Sequence, residues 1–303
     1  MQRALLFLYA ESPVHAGADS SLGALDLPIQ REASTRLPVI WGQSLKGALR
    51  DHLTRVWSKD DDDVDRVFGA PPPSSDGTGD GLKPGTLSVG DAQLVGFPVP
   101  TLVNTYAWLS GALPLARLRR KAELAGVTGM PNAALPTRRL SDDVCLAAHQ
   151  RWTADRTALG PYVLRCETHE AVKAWADWLA KMALPGGAAH SYFHGKLATD
   201  LLVVGDHLLV PITTECAEVT PRVQLGREDE DGNRTKTVVN GPFYSEYLPT
   251  ETILVGLLEC HNASHLDKLH TALNGQILRL GGDETIGKGL LWCRVVRPSE
   301  ASR

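Results

Sequence analysis

Apolar positions along the 303-residue chain follow two spacings, one typical of buried strands and one typical of amphipathic helices. Residues 3–10 are mostly apolar, which predicts a buried strand. Leu45, Leu49 and Leu53 recur at helical spacing, and Ser44 is the predicted N-cap of that helix. The same spacings predict further strands at 86–99, 201–211, 251–259 and 290–296, and further helices at 114–124, 167–182 and 264–278.

The order of these elements predicts an α+β fold. The chain opens with strand, long loop, helix and strand, and it closes with strand, helix, glycine-rich loop and strand. Two such units pack naturally as a ferredoxin-like or RRM-like sheet. Residues 220–241 read as a projecting hairpin, because two β-prone arms flank a polar tip at 229–233. No linker pattern appears, so residues 1–303 are predicted to form a single domain, with 58–85 as an inserted loop.

Composition narrows the functional classes. The formal net charge is -4, whereas a simple nucleic-acid binder should be basic. An acidic run at 60–65 carries much of the excess negative charge, and binding of nucleic acid depends on where charges lie rather than on their sum. The five cysteines are widely spaced with no CxxC, which argues against a disulfide framework or a zinc site and favours a reducing cytoplasm. The apolar start is too short for a membrane span.

A glycine-rich loop from Gly282 to Gly289 is the sharpest local motif. It nearly matches a Walker A loop, but Gly289 replaces the Ser or Thr that would bind magnesium. The residues that follow predict a strand, whereas a Walker A loop opens a helix. Two interpretations remain: a backbone loop that approaches a phosphate, with Lys288 pairing its charge, or a tight turn without a ligand.

Two other segments carry candidate chemistry. Around Ser44, a helix start followed by Lys46 and Arg50 could bind an anion, although an ordinary amphipathic helix explains the same pattern. The stretch from 11 to 37 is an overlong loop, which is often functional. It contains His15, Asp19 and Asp26, which could serve acid–base catalysis or hold a metal ion.

In this order, the segments resemble the RAMP superfamily of CRISPR proteins, and more narrowly the repeated backbone subunit of type III-B (Cmr) effector complexes. The segments that carry the resemblance extend over nearly the whole chain. They are Pro13-Val-His15-Ala-Gly17, Gly23-Ala-Leu-Asp26-Leu-Pro28-Ile-Gln-Arg31-Glu32, Pro38-Val-Ile-Trp-Gly42-Gln-Ser44-Leu-Lys46-Gly47-Ala-Leu-Arg50, Gly85-Thr-Leu-Ser-Val-Gly-Asp91, Phe243-Tyr-Ser-Glu-Tyr-Leu-Pro249 and Gly281-Gly-Asp-Glu-Thr-Ile-Gly287-Lys-Gly289.

The resemblance implies an RRM-like palm, inserted fingers within about 100–200, and a β-hairpin thumb at about 215–247. It implies copies stacked in a filament along a CRISPR RNA, together with other Cmr subunits. It also implies binding of a complementary target RNA, which is cut at regular intervals. No membrane partner is expected.

The resemblance also assigns residues. Asp26 matches the position associated with cleavage, with His15, Glu246 and Tyr247 as further catalytic candidates, although Ser245 departs from the more acidic family pattern. A free aspartate is a weak base at neutral pH, so Asp26 needs either a raised pKa or a role as a metal ligand. The metal dependence that the resemblance implies favours binding of a divalent ion, with Mg²⁺ as the expected one. The residues expected to contact RNA are Gly17, Ser44, Lys46, Arg50, Gly282, Thr285, Gly287, Lys288 and Gly289.

Three alternatives remain open from the sequence. The chain could coat RNA while another subunit cuts. It could be a metal-independent endonuclease of the same superfamily that processes pre-CRISPR RNA. It could also be an unrelated α+β protein whose glycine-rich loop binds a nucleotide or nothing.

Overall fold

The protein is described here by a computed structural model that covers residues 1–18, 25–57, 63–70, 84–132, 140, 143–226 and 238–298. Helices in these ranges are α1 (Gly42–Val56), α2 (Asp63–Phe68), α3 (Ala112–Leu124), α4 (Glu170–Met182), α5 (Ser191–Asp200), α6 (Asp206–Glu215) and α7 (Ala263–Leu273). Strands are β1 (Gln2–Ala10), β2 (Val39–Ile40), β3 (Leu87–Val89), β4 (Ala92–Thr101), β5 (Thr105–Gly111), β6 (Val144–Ala147), β7 (Ala154–Leu159), β8 (Tyr162–Thr168), β9 (Leu201–Val204), β10 (Glu218–Leu225), β11 (Val238–Tyr247), β12 (Ile253–Cys260), β13 (Ile277–Arg279) and β14 (Leu290–Val296).

The N-terminal strand β1 lies at the centre of the main sheet. It pairs antiparallel with β12 on one side and with β14 on the other, and the neighbours run in the order β13-β14-β1-β12-β4. Its side chains alternate between the two faces, so Leu6 and Leu8 pack against α1 and α7. Leu5 and Phe7 pack against α3 and α4 on the opposite face. Because both faces are covered, β1 reads in the sequence as a continuous apolar run.

Beyond β4 the sheet curls into a barrel-like ring that the sequence did not predict. Strands β4, β5, β9, β6, β8 and β7 pair in succession, and a bridge between Thr101 and Leu159 joins β7 back to β4. The ring combines antiparallel pairs with the parallel pairs β5–β9 and β6–β8. Much of the region expected to form inserted fingers therefore belongs to a continuous sheet.

The predicted mixed α+β class is confirmed, while several element boundaries are wrong. The predicted strand 201–211 is strand only to Val204, and α6 begins at Asp206. Ser44 is not an N-cap: α1 begins at Gly42, whose N–H donates to Asp91 Oδ1 at 2.7 Å. The last predicted helix ends at Leu273, because the chain turns there into β13.

A separate two-stranded sheet, β10 with β11, forms the predicted hairpin. Its base is regular from Glu218 paired with Tyr247 to Arg222 paired with Phe243. The predicted tip at 229–233, most of the inserted segment 58–85, and Asp19 lie outside the described residues. Among the described helices, none has the length and apolar composition needed to cross a membrane.

Candidate functional site

Asp26 is held against the outer edge of the hairpin base. The N–H groups of Asp26 and Leu27 donate to Tyr244 O at 3.2 and 3.1 Å, and Glu246 N–H donates to Leu27 O at 2.9 Å. In return, Tyr244 N–H donates to Asp26 Oδ2 at 2.8 Å. The first loop therefore adds a short parallel segment to β11, bridged at Leu27 and Ser245. Asp26 remains exposed, so its carboxylate is fixed in position and open to a ligand.

His15 is mostly buried and lies beside the same part of β11. Its neighbour Val14 exchanges two backbone hydrogen bonds of 2.9 Å with Leu248. The ring atom Nδ1 lies 2.8 Å from Glu246 O. A carbonyl oxygen only accepts, so Nδ1 carries a hydrogen, and in the neutral form of the ring Nε2 is the acceptor. A Cβ on Gly17 would lie 2.8 Å from Nε2, which explains the glycine at that position.

Glu246 is buried and paired, which argues against a direct catalytic role. Its Oε1 accepts from Arg31 Nη2 at 2.6 Å, and its Oε2 accepts from Ile29 N–H at 3.0 Å. The two charged side chains are only 6% and 3% exposed. Since both carboxylate oxygens are occupied by the protein, Glu246 joins the first loop to β11.

Tyr247 is fully buried and also occupied within the protein. Its hydroxyl donates to Asp283 Oδ2 at 2.8 Å, and Asp283 Oδ1 accepts from Arg222 Nη1 at 2.6 Å. Burial, and then the hydrogen bond to Asp283, raises the pKa of the Tyr247 phenol. The phenol therefore stays protonated and acts as a donor that ties the glycine-rich loop to the hairpin.

The glycine-rich loop folds against the first loop with most of its amides already engaged. Gly282 N–H donates to His15 O, and Gly289 N–H donates to Pro13 O. Gly287 N–H donates to Glu284 O, so the amide expected to contact phosphate is used within the loop. Thr285 and Gly287 are exposed. The loop thus resembles the predicted tight turn more than a phosphate-binding backbone cradle.

The three candidate phosphate-binding cations all have protein partners. Lys288 Nζ lies 2.9 Å from Glu218 Oε1, and Arg50 Nη2 lies 2.6 Å from Asp65 Oδ1. Lys46 Nζ donates to Leu87 O at 3.2 Å, a neutral partner that leaves its charge uncompensated. Lys288 is therefore close to the hairpin base, whereas Lys46 and Arg50 face β3 and α2.

Gln30 joins the first loop to the start of α1. Its Nε2 donates to Gly17 O at 3.0 Å and to Ser44 Oγ at 3.2 Å, and its Oε1 accepts from Trp41 N–H at 2.7 Å. Gly17 and Ser44, distant in sequence, are brought together by this buried amide. The structure thus gathers the predicted site residues around the first loop, except Lys46 and Arg50, which contact β3 and α2.

Several important residues were missed by the sequence-based prediction: Gln30, Arg31, Arg222, Tyr244 and Asp283. Arg31 and Tyr244 lie within segments that carry the family resemblance, but their partners are 215 and 218 residues away in the chain. Asp283 lies inside the glycine-rich loop, where its left-handed backbone (φ 67°) gave no signal in the sequence. Pairings of this kind depend on the fold.

A metal ion fits this site only if its ligands come partly from the protein and partly from the bound RNA. Among the described residues, no group of three or more His, Cys, Asp or Glu side chains is placed to hold an ion. Mg²⁺ often binds through one or two carboxylates together with substrate phosphates and waters. Asp26 suits that mode, because its exposed carboxylate engages one backbone N–H through Oδ2. Asp26 could therefore share an ion with a bound phosphate.

Sequence comparison finds relatives of this chain among proteins named as CRISPR endoribonucleases. The chain is 29% identical over 300 residues to the CRISPR system Cmr endoribonuclease Cmr4 of Pyrococcus furiosus, covering 96% of this chain and 95% of that protein. It is 36% identical over 70 residues to the CRISPR system Cms endoribonuclease Csm3 of Streptococcus thermophilus, covering 20% and 32%.

Solved structures share the fold over nearly the whole chain. The crystal structure of oligomeric Cmr4 from Pyrococcus furiosus superposes with a TM-score of 0.72 at 26% identity, covering 97% of this chain and 98% of that one. A chain of the type III-B Cmr-beta complex bound to cognate target RNA superposes with a TM-score of 0.71 at 18% identity, covering 99% of each chain. The model of the RAMP superfamily matches residues 7–292, so this chain belongs to the RAMP superfamily.

Proposed function

We propose that this protein is the repeated backbone subunit of a type III-B CRISPR effector complex that binds CRISPR RNA and cuts complementary target RNA. The observation that carries the proposal is Asp26, an exposed carboxylate fixed by backbone hydrogen bonds to the base of a projecting hairpin. Similarity over 96% of the chain to a protein named as a Cmr endoribonuclease supports it. The partners are CRISPR RNA, target RNA, further copies of this chain and other Cmr subunits.

We assign the architecture as one elaborated domain, residues 1–303. The strand order β14-β1-β12-β4 suits a ferredoxin-like or RRM-like palm, because β1 lies centrally and all neighbouring pairs are antiparallel. The hairpin of β10 and β11 is the thumb, and residues 100–200 take the place of the fingers. The five cysteines are unpaired, which suits a reducing cytoplasm.

The reaction we propose is internal transesterification of RNA. The 2′-hydroxyl of one nucleotide gives up its proton and its oxygen bonds to the adjacent phosphorus, while the bond to the 5′-oxygen breaks and that oxygen takes up a proton. The products are a 2′,3′-cyclic phosphate and a 5′-hydroxyl. Much of the rate comes from holding the attacking and leaving oxygens in line. Asp26 orients this linkage, and a divalent ion held there, with Mg²⁺ the expected one, would stabilise charge on the phosphate.

His15 is the second catalytic candidate, because Nδ1 is bonded to Glu246 O and Nε2 of the neutral ring can accept a proton. Glu246 and Tyr247 are positioning residues in this proposal. Glu246 holds the first loop through Arg31, and Tyr247 holds the glycine-rich loop through Asp283. Neither touches the reacting linkage.

The RNA backbone is bound by groups on the first loop, on α1 and on the glycine-rich loop. Lys46, Arg50 and Lys288 neutralise phosphates, and an exposed ion pair such as Arg50 with Asp65 is worth only ~0–1 kcal/mol, so a phosphate can displace it. Phosphate contacts carry no base identity, which suits a subunit that accepts any guide sequence. The remaining proposed contacts are Gly17, Ser44, Gly282, Thr285, Gly287 and Gly289. The amides of Gly282, Gly287 and Gly289 are already bonded within the protein, so these glycines would contribute close approach of the backbone rather than free N–H donors.

A cleavage assay with the reconstituted complex tests this function. A labelled target complementary to the guide should yield evenly spaced products ending in 2′,3′-cyclic phosphate, and a chelator should stop the reaction until Mg²⁺ is restored. A scrambled target should remain intact. Cutting that continues in the chelator, or that acts on the precursor of the guide, would support the metal-independent processing enzyme instead. A complex that binds the target and never cuts would support the coating protein.

A further inference from the structure

We propose that the exposed ring of Tyr244 stacks on a nucleobase of the RNA strand beside the linkage that Asp26 helps to cut. This inference rests on the proposed function, because it names the contact that holds the substrate open at that site. Tyr244 is 41% exposed, which is a large exposure for an aromatic side chain on a paired strand.

The backbone of Tyr244 and that of Asp26 form one rigid unit. Tyr244 O accepts from Asp26 N–H and Leu27 N–H, and Tyr244 N–H donates to the Asp26 carboxylate at 2.8 Å. Cross-strand pairing with Pro221 holds Tyr244 from the other side. The ring is joined to the backbone three bonds from the nitrogen that holds the Asp26 carboxylate, so it is within reach of a nucleotide whose phosphate binds there.

No contact within the described part of the protein explains why the Tyr244 side chain is exposed. Its hydroxyl has no hydrogen-bond partner among the described residues. By contrast, Tyr247 on the same strand is 0% exposed and bonds to Asp283. Leu27 and Val219, at 41% and 45%, are exposed at the same hairpin base. Exposed apolar and aromatic side chains thus lie at the hairpin base that holds the Asp26 carboxylate.

The proposed chemistry calls for such a surface. In an A-form helix the 2′-oxygen is not in line with the adjacent phosphate, so the linkage to be cut must leave the stack. An unstacked base exposes its π-face to water, and proteins that bind single-stranded RNA cover such bases with aromatic rings. Stacking of this kind tolerates any base, which matches the lack of sequence preference expected of this subunit.

Fluorescence of 2-aminopurine tests the contact directly. This base, placed in the target beside the cut linkage, should be quenched when the target binds the wild-type complex. Tyr244→Leu should restore the fluorescence and slow single-turnover cutting by between about fivefold and about 150-fold, the range that corresponds to base stacking of ~1–3 kcal/mol. Tyr244→Phe keeps the ring and should behave as wild type. Tyr192→Leu, which removes a ring 65% exposed on α5, is the matched control and should change neither signal.

The outcomes separate this inference from the proposed function. If Asp26→Asn stops cutting while quenching persists, both proposals stand. If Tyr244→Leu leaves quenching and rate unchanged, the stacking contact is wrong even though the enzyme cuts. If Tyr244→Leu instead shortens the assembled filament with quenching intact, the ring is a contact between copies, which also overturns the inference. A wild-type complex that quenches and never cuts refutes the cleavage function alone.

Discussion

Replacing Glu246 by alanine should strongly destabilise the protein, because the change removes one partner of a buried ion pair. Glu246 Oε1 and Arg31 Nη2 are 2.6 Å apart, and the two side chains are 3% and 6% exposed. Glu246 also accepts from Ile29 N–H, so alanine leaves a buried cation and a buried amide without this acceptor. Loss of one member of a buried pair costs ~3–5 kcal/mol of unfolding free energy.

Glutamine at position 246 should destabilise less than alanine but should not be neutral. The carboxylate accepts from Arg31 through Oε1 and from Ile29 through Oε2. A glutamine has one acceptor oxygen, so its amide group must face one of these two donors. The expected order of stability is therefore wild type, then Glu246→Gln, then Glu246→Ala.

Urea unfolding of the purified chain at one protein concentration measures these differences. The matched control is Glu218→Ala on the same hairpin, which removes a more exposed partner of Lys288 (37% and 19% exposed) and should cost only ~0–1 kcal/mol. The double variant Arg31→Met with Glu246→Ala should lose less stability than the sum of its single variants, because the two residues are coupled. A loss for Glu246→Ala as small as that for Glu218→Ala would refute the reasoning and return Glu246 to the catalytic candidates.

Two further changes test other parts of the account. Gly17→Ala should push the His15 ring out of place, because a Cβ at position 17 would lie 2.8 Å from Nε2. The NMR resonances of the His15 ring should therefore shift. Gly47→Ala is the control: its added Cβ meets nothing within 4 Å, so it should leave these resonances unchanged. Burial raises the pKa of Glu251, which accepts a hydrogen bond from Tyr9, to about 7 from an ordinary 4.5. Between pH 4.5 and 7 the folded state therefore binds more protons than the unfolded state. The free energy of unfolding contributed by protonated Glu251 is fully present below about pH 4.5 and is lost as the pH rises towards 7. Unfolding free energies measured across this range should fall less steeply for Glu251→Gln, and an identical slope would contradict the assignment.

The elements that the sequence predicted well are those whose pattern is local. The strand 290–296 was predicted with its observed bounds, and β1 and α3 within two residues, because unbroken apolar runs and helical spacing need no distant partner. The error at 201–211 has a physical cause: a short apolar run suits either a strand or a buried helix. The start of α1 was misplaced because its cap, Asp91, lies 49 residues from Gly42.

The candidate site could be predicted as a set of residues but not as an arrangement. The resemblance pointed to Asp26 and to the segment after the thumb, and the structure brings these two together by backbone pairing of the first loop with β11. The resemblance could not distinguish a buried, paired carboxylate, Glu246, from an exposed one, Asp26. That difference arises from Arg31, whose position relative to β11 depends on the whole fold.

The central claim is that Asp26 acts in target cutting, and a comparison of cutting and binding by a complex carrying only Asp26→Asn tests it most directly. The control is Asp51→Asn, which changes another exposed carboxylate, on α1, with Arg55 as its partner. Single-turnover cutting and target affinity should be measured on the same preparations. We expect Asp26→Asn to assemble and bind target as wild type does but to lose cutting, while Asp51→Asn retains both. Undiminished cutting by the Asp26→Asn complex would contradict a role of Asp26 in cleavage.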